Sequence, residues 1–155
     1  MKIKQCFVLL LLVLPALAFS QTAAEMDSLL GANTVSGAAA ARFVLEAADL
    51  LPGGLSGAEA EKAAWETASS KGWVKTASTD AFTLKDTAFL IMRAFDLKGG
   101  FMYYASKSPR YAYREMVYHK MIQGRADPAM EVSGSRFLQI LGSALSYSGE
   151  EGGVK

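Results

Sequence analysis

Three stretches of the sequence share one pattern of polar and apolar positions, a serine or threonine followed by apolar residues at helical spacing. They begin at Ser36, Thr83 and Ser133, which are 47 and 50 residues apart. An N-cap hydroxyl accepts hydrogen bonds from first-turn N–H groups, and Asp86 adds a capping-box-like pair with Thr83. We predict three capped helices with these inward-facing residues: Phe43, Ala47 and Leu50; Phe89, Met92 and Phe95; Phe137, Ile140, Leu141 and Ala144.

A second kind of helix precedes the latter two capped helices. The first is predicted over residues 57–71, where Ser56 and Glu59 form a capping box and Gly72 supplies the stop. The other is predicted over residues 109–123, with proline at its first position. The apolar stripes of the two helices are Ala60, Ala64, Trp65 and Ala68, and Ala112, Met116, Val117 and Met121.

The repeated order of helix, loop and capped helix predicts an all-α fold of three helix-loop-helix units. The units span about residues 24–51, 56–98 and 108–147 within one domain over 21–148, and the first has a shortened leading helix. Residues 149–155 are rich in glycine and charge, which predicts a flexible C-terminal tail.

The first twenty residues have the pattern of a cleaved secretory signal. Lys2 and Lys4 precede an apolar run, and Ala18 and Ser20 place small residues at −3 and −1 of a cut before Gln21. The alternative, a membrane anchor, is disfavoured because the run is about 13 residues long against roughly 20 for a spanning helix. We expect an exported protein that is periplasmic, associated with the cell envelope or secreted, with no transmembrane segment.

Charge and composition narrow the classes of partner. The chain has 16 basic and 15 acidic residues, and removing the two leader lysines changes the net charge from +1 to −1. This balance excludes a strongly basic nucleic-acid binder and an acidic disordered chain. Cleavage also removes Cys6, the only cysteine, so stability has to come from packing rather than from disulfides.

The units resemble S-layer homology motifs, in which a helix ends at a glycine turn and a loop rich in Gly, Asp and Pro leads to a capped helix. The matching landmarks are the turns at 71–74 and 122–124 and the Ala-Asp-Pro sequence at 126–128. The resemblance covers most of residues 24–148. It implies one pseudo-threefold helical domain that docks an exported protein onto peptidoglycan-linked glycan, without catalysis.

The sequence departs from this family at the start of each capped helix. The family has a Thr-Arg-Ala-Glu type sequence there, whereas no arginine directly follows Ser36, Thr83 or Ser133. Recognition of an anionic polymer needs a guanidinium or ammonium group near a helix N-terminus. Lys85 and Arg136 are the nearest substitutes.

Catalytic groups are scarce, so we predict no catalytic site, no metal and no cofactor. His119 is the only histidine, and although Glu115 lies one helical turn before it, further metal ligands are not evident. Glu59, Glu61 and Glu66 are interpreted as a solvated helix face rather than as the paired carboxylates of a glycosidase.

The most distinctive candidate surface lies in residues 98–128, where tyrosines and arginines are interleaved. Such a surface suits a sugar face or a protein hot spot. Alternatively, Phe101 and Met102 fill a seam between units while the tyrosines bury their rings and expose their hydroxyls. Arg125 either contacts ligand or orders its loop. The candidate ligand-binding residues are Lys85, Tyr103, Tyr104, Arg110, Tyr111, Arg114, Arg125 and Arg136.

Two functions from different classes follow. The first is a non-catalytic envelope protein that binds peptidoglycan-associated glycan or an envelope partner. The alternative is a periplasmic protein-protein adaptor or assembly factor that uses the aromatic face from Phe101 to Tyr118. The pattern carries no signal for an oligomeric state.

Overall fold

Helices form the architecture throughout the described chain. The computed structural model describes residues 23–124 and 127–152, so the predicted signal peptide and Arg125 lie outside the described residues. The helices are α1 (23–31), α2 (Gly37–Ala47), α3 (Gly57–Ser70), α4 (Leu84–Ala94), α5 (Phe101–Ser106), α6 (Pro109–Tyr118) and α7 (Gly134–Gly152). These ranges contain isolated β-bridges but no strand, which confirms the predicted all-α fold.

The three predicted hydroxyl caps are present. Each hydroxyl accepts from the amide three residues later, at 3.2 Å for Ser36 and 3.4 Å for Thr83 and Ser133. Thr83 also donates its hydroxyl hydrogen to the Asp86 carboxylate. Satisfying first-turn donors in this way fixes where α2, α4 and α7 begin.

The predicted capping box at Ser56 and Glu59 is wrong, because the Ser56 side chain makes no cap hydrogen bond. Glu25 of α1 replaces it, since its Oε1 accepts from the Gly57 amide at 3.2 Å. Glu25 also forms an ion pair with Arg42 of α2, a buried arginine that reaches Glu46 at 2.9 Å. One carboxylate therefore joins the starts of α1 and α3 to α2.

Left-handed residues end five of the helices, α2 to α6, and the left-handed residue of α5 is its C-cap, Lys107. Asp49 and Asp96, each thirteen residues after a cap, have φ of 55° and 48° and directly follow the C-caps of α2 and α4. Gly72 ends α3 with φ of 67°, as predicted. Lys120, with φ of 60°, ends α6 at Tyr118, so the prediction that this helix runs to Gln123 is wrong.

One hydrophobic core draws buried residues from all seven helices. α2 packs mainly against α3, and α4 packs mainly against α6. The predicted inward stripes of α3 and α7 are buried, apart from a half-buried Trp65. The predicted stripe of α2 is wrong because Ala47 and Leu50 are exposed, and the buried residues of this helix lie on another face: Gly37, Ala40, Ala41, Arg42, Val44 and Leu45.

The capped helices meet in a closed cycle of backbone hydrogen bonds, which we call the pre-cap cycle. Val35, Phe82 and Val132 each directly precede an N-cap residue and are fully or almost fully buried. The Val35 amide donates to Val132 at 2.9 Å, Val132 donates to Phe82 at 2.9 Å, and Phe82 donates back to Val35 at 2.8 Å. The starts of α2, α4 and α7 therefore converge on one buried point.

The end of α1 lies directly against the start of α7. The Gly134 amide donates to the Ala32 carbonyl at 2.9 Å, and a Cβ added at Gly134 would lie 1.5 Å from the Leu29 carbonyl oxygen.

α7 itself continues to Gly152, past the predicted domain end at 148. Within the described ranges, no helix combines the length and apolarity needed to cross a membrane.

Candidate functional site

A groove of about 560 Å³ lies where the first turns of α4 and α6 face the loop between α3 and α4. We call it the cation groove. It contains two of the predicted ligand-binding residues, Lys85 and Arg110, which are the second residues of their helices. The groove is lined by Lys75, Thr76, Asp80, Ala81, Thr83, Lys85, Asp86, Ser108, Pro109 and Arg110.

Three cations face two carboxylates in this groove. Lys75, Lys85 and Arg110 form no ion pair with any described residue. The two carboxylates have local partners, since Asp80 accepts from the Ala77 amide at 3.0 Å and Asp86 accepts from the Thr83 hydroxyl. The carboxylates therefore order the groove wall, while the cationic groups are available to an anion.

The first turns of the two helices contribute differently. In α4, the amides of Leu84 and Lys85 already donate to Met130 and Pro128 at 2.9 and 3.1 Å, and the Asp86 amide donates to Thr83. In α6, no side chain caps the first turn. α4 thus offers its lysine, whereas α6 offers its arginine beside an uncapped, partially positive helix N-terminus.

A polar atom without a partner also lies among the groove residues. The Thr76 hydroxyl oxygen is buried and has no hydrogen-bond partner within the described residues. A buried hydroxyl that lacks a partner carries a free-energy penalty of about 1–3 kcal/mol. The penalty therefore belongs to the fold of the loop between α3 and α4, because this oxygen is closed to solvent.

The structure does not bring the other candidate residues that it describes into this groove. Arg136 donates to the Gln123 carbonyl and contacts the Met130 sulfur, both at 3.2 Å, so it orders the preceding loop. Arg114 is exposed on α6, and Tyr111 is half-buried against the core. Arg125 lies outside the described residues.

The aromatic segment from residue 101 to 106 forms a short helix, α5, which was not among the predicted helices. Tyr103 is 5% exposed, and burial raises the pKa of its hydroxyl, so it is a core residue rather than a surface ligand. Tyr104, in contrast, is 76% exposed. The interpretation that Phe101 and Met102 fill a seam is wrong, because they are 82% and 51% exposed.

A second groove, of about 480 Å³, lies between α2, α3 and the following loop. The half-buried Trp65 lines it, together with Glu61, Glu66 and hydroxyl residues of the 78–79 loop. A third cavity, of about 280 Å³, surrounds Arg42, whose charge is already engaged by two carboxylates. Neither matches the cation groove in available positive charge.

Sequence reasoning missed the groove residues that lie in the loop, chiefly Lys75, Thr76 and Asp80. They have no helical periodicity, and the only available signal was their position directly after the Trp73-Val74 turn.

His119 packs against the rings of Tyr118 and Tyr147 at 5.1 and 4.9 Å. In the described ranges, no group of three or more His, Cys, Asp or Glu residues converges to hold a metal ion.

The chain was also compared with known proteins in three ways. It matches no family model, no curated protein and no solved structure.

Proposed function

We propose that this chain is an exported, non-catalytic protein of the cell envelope that binds an anionic, peptidoglycan-associated glycan in the cation groove. The observation that carries the proposal is the convergence of Lys75, Lys85 and Arg110 on one groove without ion-pair partners among the described residues. Cations placed in this way pair with carboxylate or phosphate groups.

The proposal includes an S-layer-homology-like organisation of three helix-loop-helix units in pseudo-threefold arrangement. The pre-cap cycle supports it, because each of its members occupies the same position before a capped helix. The backbone amide of the first residue in each capped helix also supports the threefold arrangement. Gly37, Leu84 and Gly134, the first residues of the capped helices, donate to Asp80, Met130 and Ala32 respectively, at 2.9 to 3.0 Å.

The chemistry of binding follows from the groove walls. Arg110 presents a planar guanidinium that suits bidentate pairing with a carboxylate or phosphate, and Lys85 adds a point charge from the facing helix. The exposed Asp80 offers carboxylate oxygens to sugar hydroxyls. An arginine from α6 thereby replaces the arginine that the family carries beside its own cap.

Sedimentation with isolated sacculi tests the proposal. The full chain is expressed with its leader in a bacterial host and recovered from the periplasm, where intact mass shows whether cleavage occurs before Gln21. We expect retention on sacculi, weakened by salt and lost when acid extraction removes the anionic polymers. Absence of retention on untreated sacculi would refute glycan binding.

Matched double variants localise the binding. Lys85→Ala with Arg110→Ala should lower retention about tenfold or more, because two charge-assisted contacts are removed. The control, Lys71→Ala with Lys120→Ala, removes the same charge at two exposed helix ends and should bind like the wild type. Equal retention of both double variants would exclude the cation groove as the site.

A further inference from the structure

The outer side of α5 carries three of the four most exposed large apolar side chains of the described residues. Phe101, Met102 and Tyr104 are 82%, 51% and 76% exposed within one helix of six residues. We call these three side chains the α5 surface. The fourth is Tyr118 of α6, at 78%, and leucines elsewhere are less exposed, at 48% for Leu30 and 41% for Leu145.

The fourth large residue of this helix, Tyr103, holds α5 in place. Its ring is buried so close to Gly99 that a Cβ there would lie 2.4 Å from it. The Lys107 amide closes the helix on the Tyr103 carbonyl at 2.7 Å, and α5 packs against α6. Since one inward residue anchors the helix, the three outward side chains contribute little to the fold.

Lysines flank the α5 surface, which lies in a segment of net positive charge. Residues 97–124 contain five basic residues and one acid, Glu115, which is a net charge of +4, whereas the whole chain carries +1. Lys98 and Lys107 flank the helix at its two ends, and the Lys107 ammonium lies 5.9 Å from the centre of the Tyr104 ring. The remainder of the chain therefore carries a net charge of −3, and the positive charge is concentrated in this segment.

We propose that the α5 surface binds the interface of an anionic phospholipid bilayer. Phenylalanine and methionine side chains would enter the acyl boundary, and tyrosine would sit at headgroup level with its hydroxyl in water. Lysines at both ends would extend their alkyl chains along the interface and place their charges on lipid phosphates.

The observations favour a bilayer over a protein partner. A bilayer interface satisfies the exposed apolar side chains and the flanking lysines in one contact, because its acyl boundary accepts the apolar groups and its anionic headgroups accept the charges. A helix of six residues is about 9 Å long, which suits contact within the interface rather than insertion across it. The proposal uses other side chains than the cation groove and does not depend on glycan binding.

Vesicle sedimentation of the periplasm-recovered chain tests the proposal. The probes are vesicles of phosphatidylglycerol mixed with phosphatidylcholine, and vesicles of phosphatidylcholine alone. We expect binding to the anionic vesicles to be stronger by about tenfold or more, since each flanking cation near an anionic surface contributes. Absence of binding to the anionic vesicles would overturn the proposal, including the case in which only a protein partner binds the surface.

Paired variants identify the contacting residues. Phe101→Ser with Tyr104→Ser should lower binding about tenfold or more by removing two interfacial anchors. Leu30→Ser with Leu145→Ser, exposed leucines on other helices, should leave it unchanged, and Lys98→Ala with Lys107→Ala should lower binding to anionic vesicles alone. Equal binding by the Phe101/Tyr104 and Leu30/Leu145 variants would overturn the assignment.

Two controls separate this proposal from unfolding and from glycan binding. The Phe101/Tyr104 variant should keep the wild-type melting temperature, because both side chains are exposed. It should also keep its retention on lipid-free sacculi. Vesicle binding that is lost while sacculus retention persists therefore supports the α5 surface, and concerted loss of both with a lowered melting temperature would overturn it.

Discussion

Replacing Gly134 by alanine is expected to separate α1 from the start of α7. The new Cβ would lie 1.5 Å from the Leu29 carbonyl oxygen and 2.6 Å from its carbon, whereas real Cβ contacts under 3.0 Å are essentially never seen. The obstacle is backbone rather than a flexible side chain, so α1 has to retreat by about 1.5 Å. That shift would break the 2.9 Å hydrogen bond from the Gly134 amide to Ala32.

The expected loss of stability combines two effects. Overpacking a close contact costs about 1–3 kcal/mol, and a lost backbone hydrogen bond adds about 1 kcal/mol. A total of about 2–4 kcal/mol corresponds to a melting temperature lower by roughly 8–15 °C for a chain of this size. Thermal and urea denaturation followed by circular dichroism measure the change.

Gly142→Ala provides the control on the same helix. No atom lies within 4 Å of a Cβ added there, so alanine should stabilise α7 by about 0.5–1 kcal/mol through its higher helix propensity. The two glycine-to-alanine changes should therefore act in opposite directions. If Gly134→Ala melts at or above the wild-type temperature, the close packing of α1 on α7 is refuted.

Three further outcomes are expected. Thr83→Ala should lower the free energy of unfolding by about 1 kcal/mol, whereas Ser56→Ala should leave denaturation unchanged because its side chain caps nothing. Thr87→Val should match or exceed wild-type stability in urea, since it removes a fully buried hydroxyl that lacks a partner among the described residues. The hydrogen bond from Arg42 lowers the pKa of Glu25 below its ordinary 4.5, so stability should fall as pH drops below that value. Glu25→Gln should flatten the dependence of the melting temperature on pH. An unchanged pH dependence in this variant would contradict the role of Glu25.

Local signals predicted most helix boundaries because caps act within one turn. The hydroxyls at Ser36, Thr83 and Ser133 placed three helix starts. The shared positions of Asp49 and Asp96 now have a physical reason, since aspartate tolerates the left-handed conformation that ends α2 and α4. Lys120 gives no such signal, which is why the end of α6 was placed too late.

Other features depended on contacts that no local pattern contains. Periodicity does not decide which face of α2 is buried, because the helix contains four successive alanines. The prediction placed Phe43 on the buried face, whereas the buried residues lie on another face. α5 is too short for helical periodicity to emerge. Glu25 caps α3 from 32 positions away, which no capping-box motif describes.

The candidate site was predicted in part. Lys85 was named for its position near a helix start and Arg110 as part of the segment of interleaved tyrosines and arginines, and the structure places them in one groove. Lys75 and Thr76 lie in the groove only because the loop between α3 and α4 passes beside it. Tyr103 and Tyr104 are adjacent in sequence, yet one is buried and the other exposed, a difference that composition cannot provide.

The pre-cap cycle also bears on synthesis of the chain. Val35 and Val132 are bonded to each other although 97 positions separate them, and the third member, Phe82, bonds to both. When α2 and α4 have emerged from the ribosome, Val132 has not. The Val35 amide then still lacks its acceptor, and the Phe82 carbonyl still lacks its donor. The first two capped helices should therefore remain sensitive to protease until the last third of the protein has emerged, with folding concentrated in a late, concerted step.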